Sequence, residues 1–243
     1  MDINADLGEW YGKRNLRIEA DLMPYLSSCN VACGFHSGDP LTIEKTIRLA
    51  LQHDVKIGAH PSFPDLQGFG RRMMHLPLEE LKAIIRYQIA ALKGMTEALG
   101  GQLHHVKLHG ALYNEAMKNV EIAKAVSEVI QSFDDNLVVY GLPNSALENA
   151  AKQLSLRYWG EGFADRVYED DLSLRSRQLK HAVLHDLEKI KKQVQHFKNG
   201  KVATYYKNIH SIDIQTLCIH SDTPNAIDIA KMIFNEVSDM END

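Results

Sequence analysis

Histidines, carboxylates and cations recur in this chain as short polar clusters, each directly after an apolar run. Asp6 and Glu9 close the stretch Asn4-Ala-Asp-Leu-Gly-Glu, and Asn30 to Asp39 carries Asn30, His36 and Asp39. His60 and Pro61 are followed by Asp65, Gly68, Gly70, Arg71 and Arg72, and Lys107 and His109 precede Tyr113 and Asn114. Glu161, Asp165 and Arg166 follow Trp159, and His220-Ser-Asp222 lies near the C-terminus. Imidazoles and carboxylates transfer protons, and guanidinium and ammonium groups hold anions. Asp6, His36 and His60 also have the ligand types of a divalent metal, although their spacing does not by itself establish one. Plainer uses compete. Asp39 before Pro40 suits a helix cap, Gly68 and Gly70 suit a tight loop, and Arg166 beside Asp165 suits a local ion pair. No GxxxxGK[ST] is present, Gly160-Glu-Gly162 lacks the third glycine of a dinucleotide loop, and there is no GxSxG, so no nucleotide loop or serine elbow is expected.

These clusters need elements that bring them together. Apolar runs predict buried strands over Ile3–Leu7, Asn30–Cys33, Val55–Ala59, His105–Leu108, Leu137–Gly141 and Thr216–Ile219, with weaker candidates at Leu156–Tyr158 and Val202–Tyr205. Between them lie helical patterns. Pro40 opens one with Ile43, Ile47 and Leu51, and Pro77 opens a long one that Gly100-Gly101 stops. Others carry Ile122 to Ile130, then Val183, Leu187, Ile190, Val194 and Phe197, and finally Ile229, Ile233 and Val237 after Thr223-Pro224. Strand–helix alternation predicts right-handed βαβ units and a parallel sheet. A distorted β/α barrel of seven or eight mainly parallel strands is the first expectation, and an open doubly wound sheet the second. In either fold, ligands gather at the carboxyl ends of the strands, where the clusters are expected.

At 243 residues, without a Pro/Ser-rich linker, the chain is expected to be a single β/α domain over 1–243. The net charge of −5, with no basic stretch interleaved with aromatics, argues against nucleic acid. The polar N-terminus is unlike a signal peptide, and no apolar run approaches membrane-spanning length. Cys29, Cys33 and Cys218 lack CxxC spacing, which suits a reducing cytoplasm and buried thiols.

Taken together, NADLGEWYG (4–12), SSCNVACGFHSGDP (27–40), IGAHPSFPDLQGFGRRMM (57–74), VKLHGALYN (106–114), EGFADRVY (161–168) and CIHSDTPNA (218–226) resemble the LamB/YcsF family from end to end. The resemblance implies a barrel of the glycoside hydrolase/deacetylase kind. It also implies a hydrolase role as the A component of 5-oxoprolinase, which opens 5-oxo-L-proline to L-glutamate. ATP would be a co-substrate of the assembly, and subunits B and C the partners. The chain departs from the family at Trp10-Tyr11, Lys207-Asn208 and Ser221, and in small residues around Asp170, Asp171, Lys180 and His181; these bear on substrate fit. The candidate residues all sit inside the matching motifs, and from the chemistry of a lactam substrate catalysis is expected from Asp6, His36, His60, Lys107 and His109. Substrate binding is expected from Glu9, Asn30, Asp39, Arg71, Asn114, Glu161, Asp165 and Arg166. Asp6 or His60 would serve as base, His109 or His36 as acid, Lys107 would stabilise negative charge, and Arg71 or Arg166 would hold a carboxylate. The alternatives are a metal-dependent deacetylase or amidohydrolase acting alone, and a non-catalytic scaffold. Whether copies form a homo-oligomer stays open.

Overall fold

The computed structural model describes residues 1–10, 16–221, 223 and 225–238. Tyr11, Asp222, Pro224 and the acidic end lie outside them. In chain order the strands are β1 (Asp2–Leu7), β2 (Ser28–Ala32), β3 (Lys56–His60), β4 (Leu103–Lys107), β5 (Val138–Gly141), β6 (Arg157–Phe163), β7 (Lys201–Ala203), β8 (Ile209–Ser211) and β9 (Thr216–Ile219). β1 to β6 pair in order, and β9 pairs parallel with both β6 and β1, closing a seven-stranded barrel. The open sheet is therefore excluded. The weak candidate near Val202–Tyr205 forms no barrel strand, because β7 pairs antiparallel with β8 in a separate two-stranded sheet. The candidate at Leu156–Tyr158 belongs to a longer strand that runs on to Phe163.

Helices pack around the strands: α1 (Leu16–Leu22), α2 (Pro40–Gln52), α3 (Leu78–Ala98), α4 (Gly110–Ala116), α5 (Val120–Gln131), α6 (Ala146–Gln153), α7 (Leu187–Lys198) and α8 (Ala226–Ser238). The local reasons are legible. Asp39 caps α2, its carboxylate accepting from the amides of Leu41 and Thr42 at 3.1 Å each, with Pro40 next. Leu81, Ile85, Ile89 and Leu92 form the buried stripe of α3, which ends before Gly100, where φ is +86°. The pattern beginning at Val183 starts its helix four residues later than its apolar spacing suggests. Val183 instead bridges to Arg166 in extended backbone, and Asp186 caps α7. α1, α4 and α6 have shorter apolar patterns than those that sequence periodicity picks out.

Alternate strand residues divide the molecule. Ile3, Ala5, Leu7, Cys29, Val31, Ile57, Ala59, Val106, Val139, Leu217 and Ile219 are buried in the apolar layer shared with the helices. Each such side chain contributes on the order of 1–3 kcal/mol of transfer free energy. The other alternation points into the barrel and is polar. Lys107 on β4 hydrogen-bonds residues of β1 and β9, a reach that only the barrel interior allows. No helix among the described residues is long and apolar enough to cross a membrane.

Candidate active site

Inside the barrel the side chains stack in polar layers. Deepest, Asp2 accepts from Ser28 and Thr216 at 2.7 Å each. Above it, Asn4 donates to Thr216 and Glu161, Asn30 donates to Asn4 and Asp6, and His105 bonds Asn30 at 2.7 Å. Burial pushes the His105 pKa well down, so its imidazole is neutral. Gly58 makes room for that ring, since a Cβ there would occupy the same space as the imidazole. Next, the Lys107 ammonium lies 2.9 Å from Asp6, 2.8 Å from Glu161, 3.2 Å from Asn4 and 3.1 Å from the Cys218 sulfur. Burial opposes charge on Lys107, but Asp6 foremost, with Cys218 and Glu161, outweighs it and raises its pKa well above the usual lysine range. Tyr113 donates to the second oxygen of Glu161.

On this floor Glu9, His36, His60 and His109 converge, each offering one ligand atom, all within 4.8 Å of one another. Gly8, at φ +70°, turns the chain after β1, and its amide donates to Glu19 at 2.8 Å. Glu19 is buried and also accepts from Thr46. This anchor aims Glu9, and Glu19 lies outside every polar cluster and helical pattern that the sequence singles out. His36 Nε2 lies 2.9 Å from Glu9, and its ring stacks on His109 with centroids 3.7 Å apart. Burial, only partly offset by Glu9, lowers the His36 pKa to about 4. The loop after β3 folds over the cluster. Asp65 accepts from Gly68 and pairs with Arg72, Gly70 takes φ +63°, and Ala111 donates to the Gly70 carbonyl. A Cβ on Gly70 would press on His109 and His36, so glycine is needed for the loop to lie this close.

The histidine tautomers carry chemical information. His60 Nδ1 faces the Lys107 carbonyl and His109 Nε2 the Phe69 carbonyl, at 2.8 Å each. Carbonyl oxygens only accept, so both nitrogens donate. The remaining nitrogens, His60 Nε2 and His109 Nδ1, then face each other at 3.0 Å. Two lone pairs at that distance repel, so a proton or a cation must lie between them. Asp6 stands 3.3 Å from His60 Nε2, and Glu9 stands 3.2 Å from His109 Nδ1. Burial would lower the His60 pKa, but the Asp6 carboxylate and then Glu9 reverse this and raise it. Burial likewise opposes charge on Asp6 and Glu9. His60 and Lys107 hold Asp6 well below the carboxylate range, and hydrogen bonds from His109 and His36 do the same for Glu9. Three imidazole nitrogens and a carboxylate, with two rings fixed by backbone carbonyls, also match the donor set and outer support of a divalent metal. His105 and His109 are four apart in sequence, but His105 is turned into the barrel interior and takes no part.

The cluster opens into a cavity of about 850 Å³, whose lining includes Asp6, Glu9, His60, Arg71, Lys107, His109, Asn114, Arg166 and His220. That is in the range of ligand sites.

The profile of the LamB/YcsF family matches residues 1–243. The chain belongs to this family. It is 44% identical over 235 residues to a Bacillus cytotoxicus protein named as the A component of 5-oxoprolinase, covering 96% of this chain and 93% of the relative. A Campylobacter jejuni protein of the same name is 44% identical over 234 residues, covering 96% and 92%. The crystal structure of the lactam utilization protein from Thermus thermophilus superposes with a TM-score of 0.92 at 38% identity, covering 99% and 97%.

Not every motif residue of this LamB/YcsF chain reaches the cavity. Asp39 is occupied in capping α2 and also accepts from the Thr42 hydroxyl at 2.6 Å. Asn30 and Glu161 are fully buried within the barrel, where they fix Asn4, Asp6 and Lys107. β6 extends past Trp159, and this puts Glu161 on an inward strand position rather than in a loop. Asp165 is 1% exposed and accepts from His220 Nδ1 at 2.8 and 2.9 Å. Arg166 lines the cavity while donating to the carbonyls of Ala182 and Arg175. His220 itself was visible in the sequence only as a histidine at a strand end.

Proposed function

We propose that this chain is the hydrolytic component of an ATP-dependent 5-oxoprolinase, opening 5-oxo-L-proline to L-glutamate together with partner subunits B and C. The observation that carries this is the convergence of Glu9, His36, His60 and His109 over Asp6 at the floor of the cavity, in a chain so similar to proteins named as the A component of 5-oxoprolinase. Being one lettered component of an enzyme implies further ones.

The substrate is a small anion whose amide is stabilised by resonance and whose ring holds little strain. Hydrolysis therefore needs activation, and phosphorylation of the amide oxygen by the partners supplies it. Arg71 and Arg166 at the cavity wall suit the substrate carboxylate. Asp6 accepts from Asn30 and Lys107 through Oδ1, leaving Oδ2 for His60. This pair forms a relay that takes a proton from water as it attacks the ring carbonyl carbon. Lys107 directs its donors to protein acceptors, so it tunes Asp6 rather than gripping substrate. A divalent ion held by Glu9, His36, His60 and His109 would supply positive charge to polarise the carbonyl; His60 Nε2 would then serve as a ligand, and Asp6 alone would take the proton from water.

The test is glutamate formation from 5-oxoproline and ATP by the purified chain with and without its partners, for the native protein and His60→Gln. The variant is expected to melt near the native temperature and to lose about two to four orders of magnitude in turnover. Unchanged turnover would make this chain a scaffold. The facing nitrogens of His60 and His109 favour a second reading, a metal-dependent amidohydrolase acting alone. Stoichiometric bound metal together with lactam or amide hydrolysis in the absence of partners and ATP would select it.

A further inference from the structure

His220 follows β9, whose Ile219 pairs with Ala5, so it stands beside Asp6 on the neighbouring strand. The Ser221 hydroxyl donates to the Asp6 carbonyl at 3.0 Å and pins this junction. Around the barrel the order β9, β1, β2, β3 puts His220 on one side of Asp6 and His60 on the other. Both imidazoles line the cavity. The His220 ring lies against Phe163, with centroids 5.8 Å apart. Asp165 accepts from its Nδ1 and from the Thr223 hydroxyl at 3.1 Å. Burial opposes the Asp165 charge, but His220 foremost, with Thr223, keeps its pKa low. An ionised carboxylate only accepts, so Nδ1 carries the hydrogen and Nε2 is the nitrogen left for chemistry.

Lactam hydrolysis requires two proton transfers at different atoms. The attacking water loses a proton, and the ring nitrogen must gain one, because an amide anion does not leave. The relay of Asp6 and His60 serves the first; for the second, the expected acids are engaged elsewhere, His109 Nε2 with the Phe69 carbonyl and Nδ1 with His60, and His36 Nε2 with Glu9. We propose that His220 is the general acid that protonates the ring nitrogen, with Asp165 as its positioning residue; this rests on the ring-opening role given above.

The step balances as follows. The amide oxygen carries the phosphoryl group and the ring nitrogen keeps its hydrogen as an iminium; water adds to the former carbonyl carbon and gives one proton to the Asp6–His60 relay, forming a neutral tetrahedral carbon that bears hydroxyl, phosphoryl oxygen and ring N–H. If the carbon–nitrogen bond breaks, its electron pair goes to nitrogen, which takes the proton from His220 Nε2. The acyl phosphate that remains is hydrolysed by a second water to glutamate and phosphate, and His220 regains a proton released by the attacking waters. If the carbon–oxygen bond to phosphate breaks instead, the carbonyl re-forms with oxygen from water, and ATP is consumed without ring opening. Protonation by His220 therefore selects ring opening over futile cycling.

The experiment uses the full assembly with ATP and 5-oxoproline in ¹⁸O-labelled water. It measures phosphate, glutamate and label in the recovered lactam for the native protein, His220→Gln and Asp165→Asn. The native protein is expected to form phosphate and glutamate in equimolar amounts. His220→Gln is expected to lose about two to four orders of magnitude of glutamate formation with a much smaller loss of phosphate, and to place label in unreacted lactam. Asp165→Asn should shift the same ratio less far. His220→Ala with added imidazole should regain coupling, a rescue that a purely structural role would not produce. Phosphate and glutamate falling together, without label in the lactam, would overturn the role of His220. No glutamate from the native assembly would instead overturn the ring-opening function itself.

Discussion

Lys107 brings one ammonium into a barrel interior where Asp6 and Glu161 both lie within 3 Å of it. The side chain is 3% exposed, so solvent screens the trio little. Removing the ammonium from such a buried set takes from Asp6 and Glu161 the cation they share. Lys107→Met is therefore expected to cost about 3–5 kcal/mol of stability, read from chemical denaturation. Removing the exposed Arg48 of the Arg48–Glu44 pair should cost about 0.5 kcal/mol or less. A Lys107→Met protein as stable as the native one would overturn the expected cost of breaking this buried set. At this scale, residue types were legible in the sequence and their division of labour was not. Asn30, Glu161 and Asp39 have the same chemistry as ligand-binding residues, and only neighbours distant in the chain show that two of them brace the floor while the third caps a helix.

The strands show the same division. Their apolar alternation was readable because the outward face packs on helices. The inward face, polar in nearly every layer, depends on complementary sizes across the barrel. Gly58 on β3 exists opposite His105 on β4, whose ring stacks on Tyr140 with centroids 4.0 Å apart. Gly58→Ala is expected to destabilise by about 1–3 kcal/mol through overpacking, as a lower melting temperature. An unchanged melting temperature would show that the His105 ring can move aside. β7 has an apolar composition like that of a barrel strand, yet it pairs only with β8. Seven strands already close the ring, and hydrogen-bond partners, not composition, decide membership.

For the whole molecule, closure through β9 puts residues near both ends of the chain on one rim. Asp6 and His220 become neighbours, and with His60 and His109 they share one cavity. The sequence of this chain contains no phosphate-cradling glycine loop. Calorimetry is accordingly expected to detect no tight ATP binding to the isolated chain, with ATP turnover appearing only when the partners are added. Tight binding by the chain alone would move the activation step onto this component.

By itself the sequence determined the strand–helix alternation, the main helices and the fact that polar clusters follow strands, because periodicity and capping act over a few residues. The matching motifs also identified the family. The tertiary structure decided the closed barrel over the open sheet, the count of seven strands, the Glu9–histidine cluster, the facing nitrogens of His60 and His109, and the pairing of His220 with Asp165. These rest on contacts between residues up to 215 positions apart, such as Ser221 with Asp6. No local pattern encodes such contacts, because they exist only once the barrel has closed.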